Sequence, residues 1–261
     1  MTRPLEGYAI LVTRPEEQAH GLIDEIEKQG GLAVLAPMIV IRALGDTPAS
    51  REAIDKLADY HVVIFISRNA ADIGMQLVKS RNKSFAGLQV YAVGVGTGAR
   101  LKELGVTGVH TPKGEFSSEG LLKMPGLSAH EIEGKRVLIM RGAGGREVLA
   151  HGLQQRGAHV DYCEVYERIV PPQPLGEVLK KYGITKPDIV CITSLEAVTN
   201  LAEKIDQEGL ELLYDVPLLV VGARTAHEVE RLGFTEPPVM VENPGDQSIV
   251  EALIEWVEDE R

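Results

Sequence analysis

The sequence predicts an α/β protein of two similar parallel-sheet lobes joined by a two-stranded antiparallel linker. Three observations predict it. Short apolar, β-branched runs alternate with stretches of helical periodicity. The alternation repeats itself about 127 residues later in the chain. Two further apolar runs, 38–43 and 163–170, follow the same part of each copy.

Taken in order, strands are predicted at 8–13, 32–35, 61–67, 89–93, 108–111, 136–140, 159–163, 188–193, 217–221 and 238–242. Segments such as 17–29 and 196–208 carry apolar residues at helical spacing between them. Strand–helix–strand alternation implies crossover helices and parallel pairing, here in two flavodoxin-like lobes.

The repeat is legible residue by residue. Ile10-Leu11-Val12-Thr13-Arg14 resembles Val137-Leu138-Ile139-Met140-Arg141, and the two arginines lie 127 positions apart. Gly30 and Gly157, which would end the following helices, keep that spacing, as do Ser67 and Ser194 at the ends of two further matching runs. Val93-Gly94 matches Val221-Gly222, shifted by 128. The two copies of a three-part unit therefore read a, b′, c′, a′, b, c along the chain. Such an order can fold as two consecutive domains or as two interleaved ones. The paired apolar runs favour insertion of the middle block into the outer one. The expected division is 1–37 with 171–261 as one lobe, 44–162 as the other, and 38–43 with 163–170 as linker strands. A cleft between such lobes is the natural ligand site, beyond the carboxyl ends of the strands.

Length and composition agree with two globular domains: 261 residues, 44% hydrophobic and 25% charged. The first residues carry no apolar leader, and no apolar run approaches the ~20 residues of a membrane span, so a cytoplasmic protein without membrane contact is expected. Cys163 and Cys191 fall inside strand-like runs and read as reduced, buried thiols. A net charge of −11 argues against nucleic acid as a partner. No Cys/His spacing suggests a metal, and no cofactor is expected. A monomer is expected.

Residues leaving the strands share one chemistry: Thr13 and Arg14; Ser67, Arg68 and Asn69; Gly94 and Thr97; Arg141 and Gly142; Ser194; Gly222, Arg224 and Thr225. Hydroxyls and glycines that open helices expose free backbone N–H groups, which hold anions. Arginine adds forked recognition of carboxylates. Plain helix capping by Ser67, Thr97, Ser194 and Thr225 is the simpler account of each alone; recurrence in both copies favours a polyanion site. Gly94-Val95-Gly96-Thr97-Gly98-Ala99 satisfies a dinucleotide pattern, but the next strand offers no acid for a ribose and the sister copy lacks the second glycine.

Val12-Thr13-Arg14-Pro15, Phe65-Ile66-Ser67-Arg68-Asn69-Ala70, Val93-Gly94 with Thr97, Val165-Tyr166-Glu167-Arg168, Ile192-Thr193-Ser194 and Val221-Gly222 with Thr225 together resemble the uroporphyrinogen-III synthase family over nearly the whole chain. The resemblance implies two interleaved lobes joined by a two-stranded linker. It implies a cofactor-independent lyase that takes hydroxymethylbilane, a linear tetrapyrrole with eight carboxylates. The terminal hydroxyl leaves as water, ring D inverts through a spiro intermediate, and the macrocycle closes. Tyr166 matches the family's candidate proton donor to the leaving hydroxyl, and a phenol holds its proton at neutral pH. Thr13, Arg14, Ser67, Arg68, Asn69, Gly94, Thr97, Arg141, Gly142, Ser194, Gly222 and Thr225 become expected substrate contacts, Arg14 and Arg141 as carboxylate clamps. A two-lobe anion-binding protein of the periplasmic or repressor type is the competing expectation. The missing leader and missing DNA-binding headpiece count against it.

Overall fold

The computed structural model describes residues 3–259. The chain opens with β1 (Ala9–Val12), α1 (Glu16–Lys28), β2 (Leu32–Leu35), β3 (Val40–Ala43) and α2 (Pro48–Asp55). β4 (Val62–Phe65), α3 (Arg68–Ser80), β5 (Gln89–Ala92), α4 (Val95–Glu103), β6 (Val109–His110), α5 (Ser118–Leu122), α6 (Ala129–Ile132), β7 (Arg136–Gly142), α7 (Val148–Gln154) and β8 (His159–Ile169) follow. The last third holds α8 (Leu175–Lys181), β9 (Ile189–Ile192), α9 (Leu195–Glu208), β10 (Leu218–Val221), α10 (Ala223–Arg231), β11 (Val239–Val241) and α11 (Asp246–Asp259).

These elements form two compact units. One takes the chain up to Val40 and from Ile169 onward; the other is Ile41–Arg168. The sheet of the first unit has the order β11-β10-β9-β1-β2, and that of the second β3-β8-β7-β4-β5-β6. Numbered within the first unit, its strands run 2-1-3-4-5, a doubly wound order. In the second unit β8-β7-β4-β5-β6 repeats that order, strand for strand, from a chain that enters at the third strand of the pattern. The register carries the same offset: Ile10 lies beside Ile189, and Val62 beside Val137. Starting the repeat at another point changes the chain order but not the sheet. Strand order follows from which strands are apolar on both faces and from right-handed crossovers.

The central strands show this directly. β1, β4 and β9 are buried along their whole length, as parallel strands with helices on both faces must be. Side chains of β4 alternate between two cores. Val63 and Phe65 join Ala71, Met75 and Val78 of α3 and Leu101 of α4. Val62 and Ile64 join Leu121, Leu149 and Leu153 of α5 and α7. In the first unit Ile10, Val12, Ile189 and Cys191 pack with Leu22 and Ile26 of α1 and Ile249 and Leu253 of α11. Cys163 and Cys191 are free, buried thiols, and burial pushes both up to about 12, so they stay protonated at neutral pH.

One expectation needs correction. The strand predicted to end at residue 163 runs on without a break to Ile169, and β3 pairs with it as the edge of the six-stranded sheet. The Leu44 N–H donates to the Val165 carbonyl (3.0 Å) while Arg42 meets Glu167, so β3 and β8 run in opposite directions and the sheet is mixed. The reason is burial: Cys163, Val165 and Tyr166 belong to the core of the second unit. A free-standing ribbon would have left them in water. Met38 and Ile39, expected to open the linker, are buried in the first unit, where the Met38 N–H donates to the Thr13 carbonyl (2.9 Å).

The turn leaving β10 depends on one glycine. Gly222 has φ 79° and ψ 151°, a region open almost only to glycine. Gly222→Ala should therefore cost about 1–3 kcal/mol through backbone strain alone, since open space surrounds the position. Denaturant unfolding should show a lower midpoint with an unchanged slope; an unchanged midpoint would mean that the turn relaxes freely.

Candidate functional site

In each doubly wound sheet the crevice for ligand opens at the carboxyl ends of the strands, where the winding reverses. In the first unit that point lies between β1 and β9; in the second it lies between β7 and β4.

In the first unit Thr13 is fully buried, and its hydroxyl donates to the Cys191 carbonyl (2.7 Å), stitching the end of β1 to β9. Arg14 is engaged: it forms an ion pair with Asp246 and donates to the Pro244 carbonyl (2.5 Å). Ser194 caps α9 by accepting the Ala197 N–H (3.2 Å). Gly222 opens α10 with no side-chain cap, Thr225 is buried one turn on, and Arg224 stands exposed between them. Among the described residues Arg224 has no ion pair.

In the second unit Ser67 caps α3, accepting the Ala70 N–H (3.0 Å). Its Oγ also lies 3.1 Å from the Tyr166 hydroxyl. Arg68 is exposed at the start of α3 without an ion pair among the described residues, and Asn69 beside it is half-buried. Gly94 opens α4 with no side-chain cap, and Thr97 is buried behind it.

Arg141 does not face outward. It is only 2% exposed, its Nε donates to the Gly142 carbonyl (3.1 Å), and its guanidinium lies 4.6 Å over the Tyr162 ring. Glu147 completes the enclosure, 3.5 Å from Arg141 and accepting the Tyr162 hydroxyl (2.7 Å). Burial, then the hydrogen bond to Glu147, pushes the Tyr162 phenol up to about 12. The arginine thus braces the 142–147 turn.

Three predicted residues meet at one point. β7 and β8 slip register between Arg141 and Gly142, which sets Gly142 opposite Tyr166. The Ala143 N–H donates to the Tyr166 carbonyl (2.7 Å). A Cβ on Gly142 would fall 2.6 Å from the tyrosine ring, so glycine alone lets the ring lie there. The phenol then reaches Ser67 at the end of β4. Ser67, Gly142 and Tyr166 form one cluster; Thr13 and Arg14 serve the first unit's own scaffold. Sequence reasoning missed Phe116, which is 55% exposed and lies against Gly94. Nothing in its local pattern marks it, because it reaches the turn only through the fold.

Among the described residues no three His, Cys, Asp or Glu side chains stand close enough to hold a metal ion. No helix among them is long and apolar enough to cross a membrane.

The family model described as uroporphyrinogen-III synthase HemD matches residues 21–251. The uroporphyrinogen-III synthase of Salmonella typhimurium is 29% identical over 247 residues, covering 94% of this chain and 99% of that protein. The Proteus mirabilis uroporphyrinogen-III synthase is 31% identical over 194 residues, 74% of this chain and 96% of that one. Among solved structures, a mutant uroporphyrinogen III synthase from Thermus thermophilus aligns over 98% of this chain and 100% of its own, with TM-score 0.64 at 18% identity. The Helicobacter pylori uroporphyrinogen-III synthetase aligns over 95% and 99%, with TM-score 0.61 at 16% identity. At such identities the structures speak for the fold.

Proposed function

The chain belongs to the uroporphyrinogen-III synthase family, and from that premise we propose how its residues carry out the reaction. It is a uroporphyrinogen-III synthase, an enzyme of tetrapyrrole biosynthesis. Hydroxymethylbilane loses its terminal hydroxyl as water, with Tyr166 as the source of the proton. The electrophile left behind is attacked at the substituted carbon of ring D, and a spiro intermediate opens into the inverted macrocycle. The observation that carries it is the meeting of Tyr166 with Ser67 at the carboxyl end of β4, where the ligand crevice of such a sheet lies. In this reading the uncapped turns at Gly94 and Gly222 offer backbone N–H groups to substrate carboxylates. Arg68 and Arg224 add the charge, while Arg14 and Arg141, tied to Asp246 and to the 142–147 turn, hold the scaffold. Thr13, Ser194 and Thr225 shape the strand ends of the first unit, and Asn69 and Thr97 those of the second.

The same proposal takes the protein as a cytoplasmic monomer whose chain crosses between its units along β3 and β8. Ring closure without inversion needs no enzyme, so the protein's task is to hold the bilane folded and steer the attack. Freshly made hydroxymethylbilane, incubated with the protein, oxidised and separated by isomer, should give the III isomer. Only the I isomer, formed at the uncatalysed rate, would refute the reading.

Carboxylate recognition has its own test. Because backbone donors share the load, Arg68→Ala and Arg224→Ala should each weaken product binding by about 1–3 kcal/mol, the range for one charge-assisted hydrogen bond. Calorimetry should also show a tetrapyrrole with four carboxylates binding much more weakly than one with eight. Equal affinity would show that ring shape, not charge, is read.

A further inference from the structure

Tyr166 is 2% exposed, with its ring seated under the Gly142 backbone and against the core of the second unit. A phenol in that position presents no face to a ligand. Among the described residues its oxygen has one hydrogen-bond partner, the Ser67 Oγ at 3.1 Å. The phenol hydrogen has no other acceptor among the described residues, and a buried donor is rarely left unsatisfied. Tyr166 therefore donates and Ser67 accepts. Ser67 also accepts the Ala70 N–H (3.0 Å), which occupies its second lone pair. The one function left on Ser67 is its own O–H, and Ser67 is half-buried at the mouth of the strand end.

We propose that Ser67 is a catalytic residue, the relay that hands the Tyr166 proton to the leaving hydroxyl; this rests on the reading of Tyr166 as the acid. The Tyr166 proton moves to Ser67 Oγ as the Ser67 proton moves to the substrate hydroxyl oxygen. The carbon–oxygen bond breaks and its electron pair leaves with water. The pyrrole nitrogen lone pair stabilises the cation left on the terminal methylene, and Tyr166 is left as phenolate. The substituted carbon that attacks first carries no hydrogen; once the spiro intermediate fragments, ring D closes the macrocycle through its unsubstituted α-carbon, and the proton lost from that carbon as aromaticity returns restores the phenol through the same serine.

The internal repeat supports a role beyond capping. Ser194 holds the sister position and caps α9 in the same way, but the residue matching Tyr166 in that copy is Ile39. Among the described residues this hydroxyl pair has no counterpart at Ser194 and Ile39, so common descent of the caps does not account for it.

The test separates capping from relay. Asparagine caps a helix about as well as serine but has no hydroxyl to pass a proton; threonine keeps both functions. Ser67→Asn should lower kcat at least about tenfold, with KM within about twofold and thermal stability preserved. Ser67→Thr should restore most of the rate. Adding Ser67→Asn to Tyr166→Phe should cost nothing further, because both break one path, and the curved proton inventory expected of the wild type should become linear in either single variant. Wild-type kcat in Ser67→Asn, or losses that multiply in the double variant, would overturn the relay while leaving Tyr166 as the acid. Wild-type kcat in Tyr166→Phe would instead remove the reading on which the relay rests.

Discussion

Replacing Tyr166 by phenylalanine should lower kcat at least about tenfold, towards the 100- to 10,000-fold that a positioned general acid supplies. Hydroxide is a poor leaving group unless a proton arrives with it. At the carboxyl ends of the second unit's strands, Ser67 and Thr97 are hydroxyls of weak acidity, and arginine does not release its proton. The nearby carboxylate of Glu147 is taken up by Arg141 and the Tyr162 hydroxyl, so the Tyr166 phenol, a better acid by type than an alcohol, is the donor left, and its one hydrogen-bond partner among the described residues, Ser67, lies at the end of β4. Phenylalanine keeps the ring under Gly142 and in the core, so the fold survives. The missing hydrogen bond is worth about 0.5–1.5 kcal/mol of stability, and KM should barely change because the buried ring touches no carboxylate. Steady-state kinetics on hydroxymethylbilane decide the matter. A kcat within twofold of wild type would assign the proton to an ordered water or to the substrate's own carboxylates.

Gly142→Ala should be nearly as damaging, for a steric reason. Its Cβ would stand 2.6 Å from Tyr166 Cε2 and 2.7 Å from Cζ, well inside contact distance. The ring has little room to retreat, because it is buried in the same core as Phe65, Met140 and Val165. Either the register slip between Arg141 and Gly142 opens or the phenol leaves Ser67. Overpacking of this kind costs about 1–3 kcal/mol, which for a chain of this size lowers Tm by about 2–4 °C per kcal/mol. The same displacement should take kcat down by at least about tenfold. A second change, Tyr166→Leu, should return the lost stability without returning the activity. Wild-type kcat and Tm in Gly142→Ala would show that the two strands shift apart harmlessly and that the close approach has no bearing on the site.

The strands were the most legible feature, because a strand buried on both faces announces itself as an unbroken apolar, β-branched run. Ile10-Leu11-Val12, Val62-Val63-Ile64-Phe65 and Ile189-Val190-Cys191-Ile192 all read this way and all form central strands. The repeat was legible for the same reason: equivalent strands bear equivalent burial, so residue type is retained at the same offset. The 127-residue spacing seen between Arg14 and Arg141 reappears in the register of Ile10 with Ile189 and of Val62 with Val137. The run-on of β8 was not legible, because Glu164-Val165-Tyr166-Glu167-Arg168-Ile169 mixes charged with apolar residues as a two-stranded ribbon would. Its membership of the larger sheet depends on what packs against Cys163, Val165 and Tyr166.

Residue type and spacing by themselves determined the strand pattern, the strand-end chemistry and the family. What each side chain does was decided by tertiary structure. Arg14 and Arg141 look identical along the chain, each closing an apolar strand of the repeat. Arg14 is claimed by Asp246, 232 positions away, and Arg141 by the Tyr162 ring and the Gly142 carbonyl. Ser67 and Ser194 carry the same cap, but only Ser67 meets a phenol, delivered by a strand 99 positions further on. The physical reason is that burial pattern is a local property of the chain, set by periodicity. A polar group's partner depends on which distant segment arrives within about 3 Å of it, and hydrogen bonds are lost over fractions of an ångström beyond that reach.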